Sequence, residues 1–248
     1  QKVDIFDTES MGRVLTLDGL MMTTERDEFY YHEMISHIPM MNHPNPESVL
    51  VIGGGDGGTI REVLKHDTVK KVVLCEIDGM VVEACKKYLP TIGCELDNPK
   101  VDVKIEDAIE FIKDKKNEYD IILIDSTDPM GPGEGLFTEE FYTNVKEALK
   151  DGGIMAAQSE SPFINQAEMK KMYPLLRKVF PIVDTFTGPI PSYPGGYWSW
   201  CFCSEKVKPL SYIDEQRAEK IAKQCKIYNK DYHLARFALP NFVKELVK

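Results

Sequence analysis

The stretch Val49-Leu50-Val51-Ile52-Gly53-Gly54-Gly55-Asp56-Gly57-Gly58 joins an apolar, β-branched run to a glycine loop, and a helical pattern over residues 59–65 follows it. An apolar run without alternation reads as a strand covered on both faces, the habit of parallel sheets flanked by helices. Glycines allow the backbone to turn sharply and to approach a ligand where a Cβ would clash. The next strand pattern ends in Glu76, about 20 residues beyond the loop, the spacing at which a carboxylate accepts the ribose hydroxyls of a nucleoside. These features predict a nucleoside site at Gly53, Gly55 and Glu76; a tight turn of purely structural use is the alternative.

The rhythm of strand, loop and helix continues toward the C-terminus. Strands are predicted at 71–76, 101–105, 119–124 and 154–158, with helices at 80–88, 108–115, 139–150 and 165–179. Runs at 182–187 and 197–204 read as a closing strand pair, and the tail from Asp214 as helical, broken by Pro240. Such alternation predicts an α/β fold: a Rossmann-like, methyltransferase-type sheet, mostly parallel with a closing antiparallel strand. Toward the N-terminus, Gly12 and Asp18-Gly19 are turn signals between short alternating runs, so residues 1–24 are expected to form a small β-hairpin region. A helix over 25–37, ended by the Pro and Asn cluster at 39–46, opens the second region, a catalytic domain at 25–248 with a helical tail. Because the chain begins at Gln1 and not at Met, a preceding piece is expected.

Composition excludes several classes. The apolar runs of this chain fall far short of the roughly 20 residues that span a membrane, so a soluble, cytoplasmic protein with no membrane partner is expected. Lys plus Arg 30 against Asp plus Glu 40 gives a net charge of −10. That argues against nucleic acid, whose phosphates need a basic face, and is compatible with a cationic substrate. The six cysteines, at 75, 85, 94, 201, 203 and 225, show no paired C-x-x-C spacing; reduced, mostly buried thiols and no metal site are expected.

Charge within the motifs narrows the ligand. A dinucleotide loop seats a pyrophosphate, which the carboxylate of Asp56 would repel, whereas a cation beside it is attracted. The loop suits a sulfonium nucleoside, and Asp56 at its aminoacyl end favours a decarboxylated one, whose arm ends in a plain ammonium. Asp107, in Glu106-Asp107-Ala108 after the third strand, stands where an adenine amino group is often bound and reads equally as a helix N-cap. The strand at 119–124 runs into Asp125-Ser126-Thr127-Asp128-Pro129, which should face the same cleft; an Asx turn is the plain alternative. With Asp56 these acids make a pocket for amines, and Tyr31, beside His32, and Tyr193 are available to line it. An alkylamine is nearly all protonated at neutral pH, and only its free base attacks carbon. Asp125, nearest the strand end, is the expected proton acceptor.

These motifs together resemble the polyamine aminopropyltransferases, and among them the spermidine synthases. The resemblance is carried by Gly12-Arg13-Val14-Leu15, Leu17-Asp18-Gly19, Thr23-Thr24-Glu25-Arg26-Asp27-Glu28-Phe29, Tyr31-His32-Glu33-Met34, the glycine loop, Glu76-Ile77-Asp78, Asp125-Ser126-Thr127-Asp128-Pro129, Gly131-Pro132, Ala157-Gln158 and Phe237-Ala238-Leu239-Pro240. It implies decarboxylated S-adenosylmethionine as co-substrate and putrescine as acceptor, with spermidine and methylthioadenosine as products and no prosthetic group or metal. It also implies that Gln1, Glu76, Asp107, Ala108 and Pro132 contact the nucleoside, while Asp56 and His32 face the aminopropyl arm. Asp125 would take the proton, and Tyr31, Asp128 and Tyr193 would form the diamine slot. The loop at 126–136 would act as a lid, and a homodimer or homotetramer assembled through the N-terminal β region is expected.

Relatives commonly extend upstream of Gln1 into a further hairpin, and Met22 and Ala108 stand where many carry Gln and Gly. Tyr197, Trp198 and Trp200 are bulky neighbours of the slot, so agmatine, cadaverine and longer polyamines stay open as acceptors. The rival readings are a methyltransferase of the same fold and a catalytically inactive nucleoside-binding relative.

Overall fold

Three strands precede the first helix, β1 (Val3–Thr8), β2 (Gly12–Leu17) and β3 (Leu20–Thr24), paired antiparallel in that order. Asp18 and Gly19 both take left-handed backbone, φ 51° and 84°, the primed turn geometry that Asp-Gly favours and that matches strand twist. The computed structural model describes residues 1–128 and 131–248, and of Gly131 and Pro132 the backbone alone.

Helix α1 (Phe29–Asn42) starts and ends later than the pattern at 25–37 predicts. Ahead of it Thr24 Oγ1 donates to Asp27 Oδ1 at 2.7 Å and the Glu28 N–H to the Thr24 carbonyl at 3.1 Å, which folds the segment as a turn. Pro39 lies inside the helix and does not end it. Asn42 closes the last turn, donating to the Ile38 carbonyl at 2.9 Å and accepting from the Leu210 N–H at 2.7 Å. That tertiary anchor outweighs the hydrogen bond proline cannot make.

After α1 come β4 (Ser48–Gly53), α2 (Gly58–Leu64), β5 (Lys71–Glu76), α3 (Gly79–Tyr88), β6 (Val101–Ile105), α4 (Ala108–Lys113), β7 (Tyr119–Asp125), α5 (Glu139–Ala148), β8 (Leu149–Gln158), α6 (Gln166–Val179), β9 (Ile182–Pro189) and β10 (Tyr197–Ser204). The tail forms α7 (Glu215–Ala222), α8 (Lys230–Arg236) and α9 (Asn241–Leu246). The predicted helix at 139–150 gives way at Leu149, whose backbone pairs with Tyr119 and begins β8. No helix among the described residues is long and apolar enough to cross a membrane.

The second sheet runs β6-β5-β4-β7-β8-β10-β9, parallel from β6 to β8, with β10 antiparallel to both neighbours. Its two faces explain the unbroken apolar runs. Val49 and Val51 join one core with α1, while Leu50 and Ile52 join another with α5 and α6. Period-2 alternation is present but hidden, because both faces are apolar. Leu15 and Leu17 of β2 pack on Val81 and Cys85 of α3, which fastens the small sheet to the large one. The chain walks from β4 out to β6 and then returns to place β7 on β4's other side. The switch point therefore opens between the carboxyl ends of β4 and β7.

Candidate active site

At that switch point Gly53 stands opposite Asp125 in register. Gly54 takes φ 69°, and a Cβ there would lie 2.6 Å from Asp125 Oδ2. Glycine alone permits both this backbone and so close a carboxylate. Asp56 Oδ1 then accepts from the Gly58 N–H at 2.8 Å, and its Oδ2 lies 3.3 Å from His32 Nε2 on α1. Asp125 Oδ2 accepts from Thr59 Oγ1 at 2.6 Å, and Tyr31 lines the same cavity.

Tyr31, His32, Gly53, Gly54, Asp56 and Asp125 line one cavity of about 940 Å³, shared with Gln1, Gly55, Glu76, Asp107, Ala108, Asp128 and Tyr193. At one end Glu76 accepts from the Gly55 N–H at 3.2 Å and the Asp78 N–H at 2.9 Å. Those bonds orient the carboxylate and leave lone pairs free for hydroxyl donors. Asp107 caps α4, accepting from the Ile109 N–H at 2.8 Å, and lines the cavity too. Gln1 Nε2 reaches Asp78 Oδ2 at 3.0 Å. The side chain of Pro132, expected at the nucleoside, lies outside the described residues, as does Pro129 of the acidic loop.

At the other end the Tyr31 and Tyr193 rings stand 6.1 Å apart, and Trp198 meets Tyr193 edge-on at 4.8 Å. The Tyr193 hydroxyl donates to the Met22 carbonyl at 2.8 Å, so the hairpin region closes this side. Of the three bulky neighbours expected at the slot, Trp198 lines the cavity. Trp200 is buried behind Tyr31 and stacked on Phe186, and the Tyr197 hydroxyl turns away to Thr187 Oγ1 at 2.6 Å.

Sequence reasoning missed Glu28 and Gln158, which line the cavity, and Glu160, which adjoins Gln158 and Asp128 without lining it. Glu160 is buried beyond the end of β8 at φ 74°, its Oε1 accepting from Gln158 Nε2 at 3.3 Å. Its Oε2 makes no hydrogen bond among the described residues. The strand-end rule that pointed to Asp125 applies equally to β8 and reaches Gln158 and Glu160. Glu28 stands one helical turn before His32, a spacing that puts both on one face.

Electrostatics set the ionisation of these groups. Burial and the Asp56 charge push Asp125 above the ordinary carboxylate range, while His32, Thr59 and Tyr31 pull it back. Against the cost of its burial, His32 is held well above the usual imidazole value by Asp56 and Glu28. Burial pushes Asp128 up, and burial with Asp128 nearby pushes Glu160 up to about 8. The cavity thus offers carboxylates for cations, one of them a candidate base, between a hydroxyl-binding end and an aromatic slot.

Away from the cavity, His37 Nε2, Glu62 Oε2 and Cys225 Sγ lie within 4.8 Å of one another. Arg61 and Lys65 already pair with Glu62, and His37 bonds both Glu62 at 3.0 Å and Cys225 at 3.2 Å. A metal there would have to displace a lysine ammonium, so the cluster reads as a self-satisfied polar network.

A family model of the spermine/spermidine synthase domain matches residues 28–215, and one of the spermidine synthase tetramerisation domain matches residues 1–25. The polyamine aminopropyltransferase of Thermotoga neapolitana is 50% identical over 246 residues, 99% of this chain and 83% of that protein. That of Clostridium kluyveri is 50% identical over 248 residues, 100% of this chain and 89% of the relative. A solved spermidine synthase in complex with the transition-state analogue AdoDATO matches with a TM-score of 0.96 at 49% identity, over 99% of this chain and 84% of that one. Spermidine synthase from Thermotoga maritima matches with a TM-score of 0.92 at 47% identity, over 99% and 83%.

Proposed function

The chain belongs to the spermine/spermidine synthase family, and from that premise we propose that it transfers the aminopropyl group of decarboxylated S-adenosylmethionine to putrescine, giving spermidine and methylthioadenosine. The observation that carries this reading is the meeting of Asp56 and Asp125 in one cavity, with Glu76 and Asp107 at one end and Asp128, Tyr31 and Tyr193 at the other.

In the reaction the amine nitrogen attacks the methylene beside the sulfonium, and the carbon–sulfur bond breaks with its electron pair passing to sulfur. The proton leaves nitrogen for Asp125. An alkylamine near 10.4 and a carboxylate near 4 are about 6 units apart, a mismatch of roughly 8 kcal/mol. Burial narrows it from the carboxylate side by raising Asp125, and the cationic sulfonium narrows it from the amine side. A sulfonium is already a cationic leaving group, so neither a metal nor a prosthetic group has a step to supply.

Glu76, Asp107, Ala108, Gln1 and, by the family pattern, Pro132 would hold the nucleoside. Gly53 and Gly55 let it approach the backbone, and Asp56 with His32 would receive the aminopropyl ammonium. Asp128 and Tyr193 would hold the far amine, and the loop at 126–136 would cover both substrates. The two sheets and the two family matches, at residues 1–25 and 28–215, support a division near residue 24. The match of residues 1–25 to a tetramerisation domain supports a homodimer or homotetramer, and we place the enzyme in the cytoplasm.

The test supplies decarboxylated or intact S-adenosylmethionine with each of putrescine, cadaverine, agmatine and spermidine, and reads products by mass. Spermidine from putrescine with the decarboxylated donor alone is expected, because the intact donor would bring its carboxylate against Asp56. A methylated product from the intact donor would replace this reading with the methyltransferase one.

A further inference from the structure

Behind His32, on the side away from Asp56, a run of paired charges leads out of the site. Glu28 Oε2 lies 2.6 Å from His32 Nδ1 and accepts from Arg61 Nη2 at 2.7 Å. Arg61 Nε reaches Glu62 Oε1 at 2.9 Å, and its Nη1 reaches the Thr91 carbonyl at 2.9 Å. The His32 and Glu28 side chains are 3% and 6% exposed, so solvent screens the pair little. Gly58 fixes where the ring can be: a Cβ there would stand 2.3 Å from His32 Cε1. The ring packs close against that backbone, with Nε2 facing Asp56 Oδ2 at 3.3 Å.

We infer that Glu28 is a positioning residue that acts through His32: anchored by Arg61, it grips Nδ1 so that Nε2–H holds the Asp56 carboxylate toward the cationic arm of the donor. The last of these links rests on the function proposed above; the grip of Glu28 on His32 does not.

A neutral imidazole carries one N–H, and a ring flanked by carboxylates at both nitrogens needs two. Asp56 and Glu28 accordingly keep the ring charged against its burial. Arg61 faces the trio from α2 and Asp125 from β7; His32 and Arg61 hold Glu28 down at about 2 in spite of burial. The positive ring in turn lowers the affinity of Asp125 for a proton. Glu28 therefore serves the base as well as the donor: it preserves the positive charge that opposes protonation of Asp125.

Glu28→Gln retains the shape of the side chain and an oxygen for Arg61 but removes the charge. Nitrogen NMR of the ligand-free protein should find the His32 ring doubly protonated from about pH 6 to 8 in the wild type and losing a proton within that window in the variant. The kcat/KM for the donor should fall about tenfold in Glu28→Gln, with a new ionisation in its pH profile over the same window. In a His32→Gln background the Glu28→Gln change should cost less than about twofold.

A wild-type ring that is neutral at pH 7, which needs no variant to fold, overturns the inference. So does an undiminished loss in the His32→Gln background, since Glu28 would then act through Arg61 or the fold. The titration requires no substrate. A charged His32 in a protein that transfers no aminopropyl group would refute the proposed function and leave the grip standing.

Discussion

Asp56 and Asp125 put two carboxylates into one cavity, and the neighbours assign them different work. Asp56 faces the His32 ring at 3.3 Å and accepts from a backbone N–H, whereas Asp125 accepts from the Thr59 hydroxyl and is raised by burial. Asp125→Asn keeps the outline of the side chain and removes the proposed base. The kcat should fall about 10³-fold, the scale of a lost general base, while the donor Kd measured by calorimetry stays within about threefold. A variant that turned over at the wild-type rate would remove Asp125 from the chemistry. Glu160 titrates in the opposite sense to an ordinary ion-paired acid. Its folded value, about 8, lies above the usual 4.5, so the native protein holds a proton that the unfolded chain has released. The stability this contributes is complete below about pH 4.5 and is lost as pH rises through about 8. The Tm of the ligand-free protein should decline across that window. A saturating diamine with no donor present should flatten the decline, because an ammonium against Asp128 and Glu160 replaces the proton, and calorimetry in two buffers would read the proton released.

The elements carry a second acid whose task is purely structural. Glu33, buried on α1, accepts from the N–H groups of Lys226, Ile227 and Tyr228 at 2.7, 2.9 and 2.8 Å and so ties the C-terminal tail over the helix. Glu33→Ala strands three donors and should cost about 3 kcal/mol in urea unfolding, with kcat of the folded fraction changed less than about twofold; a large kcat loss would mean the tail reaches the site. The tie also explains what the sequence could not show. Strands β5, β6 and β10 match their predicted bounds because local apolar runs flanked by turns specify them. The end of α1 does not match, since a proline normally stops a helix and the contact that carries this one onward comes from Leu210, far along the chain. The site divides in the same way. Asp56, Glu76 and Asp125 sit on glycine-loop and strand-end patterns that local sequence displays. Glu28 and Glu160 gain their meaning from Arg61 and Asp128, and Trp200 loses its expected place at the slot to the core, facts that only folding supplies.

At the scale of the whole molecule, the two sheets build the cavity jointly: Leu15, Leu17 and Met22 of the hairpin region line it with the strand ends of the large sheet. Its acids open on to a chain whose net charge is −10. The proposed diamine acceptor, with two positive charges, would approach down a favourable potential, and that attraction acts over a distance set by salt, about 10 Å at 0.1 M. Once the amine is enclosed, mobile ions no longer lie between it and the carboxylates, so salt should act on capture and leave the bound reaction nearly untouched. Raising KCl from about 0.05 to 0.5 M should lower kcat/KM for the diamine about fivefold, with kcat changed less than about twofold. NaCl should give the same curve, since screening depends on ionic strength and not on the identity of the cation. Equal losses in kcat and kcat/KM would place the salt effect on the chemistry, and a kcat/KM independent of salt would mean that the acidic surface has no part in drawing the substrate in.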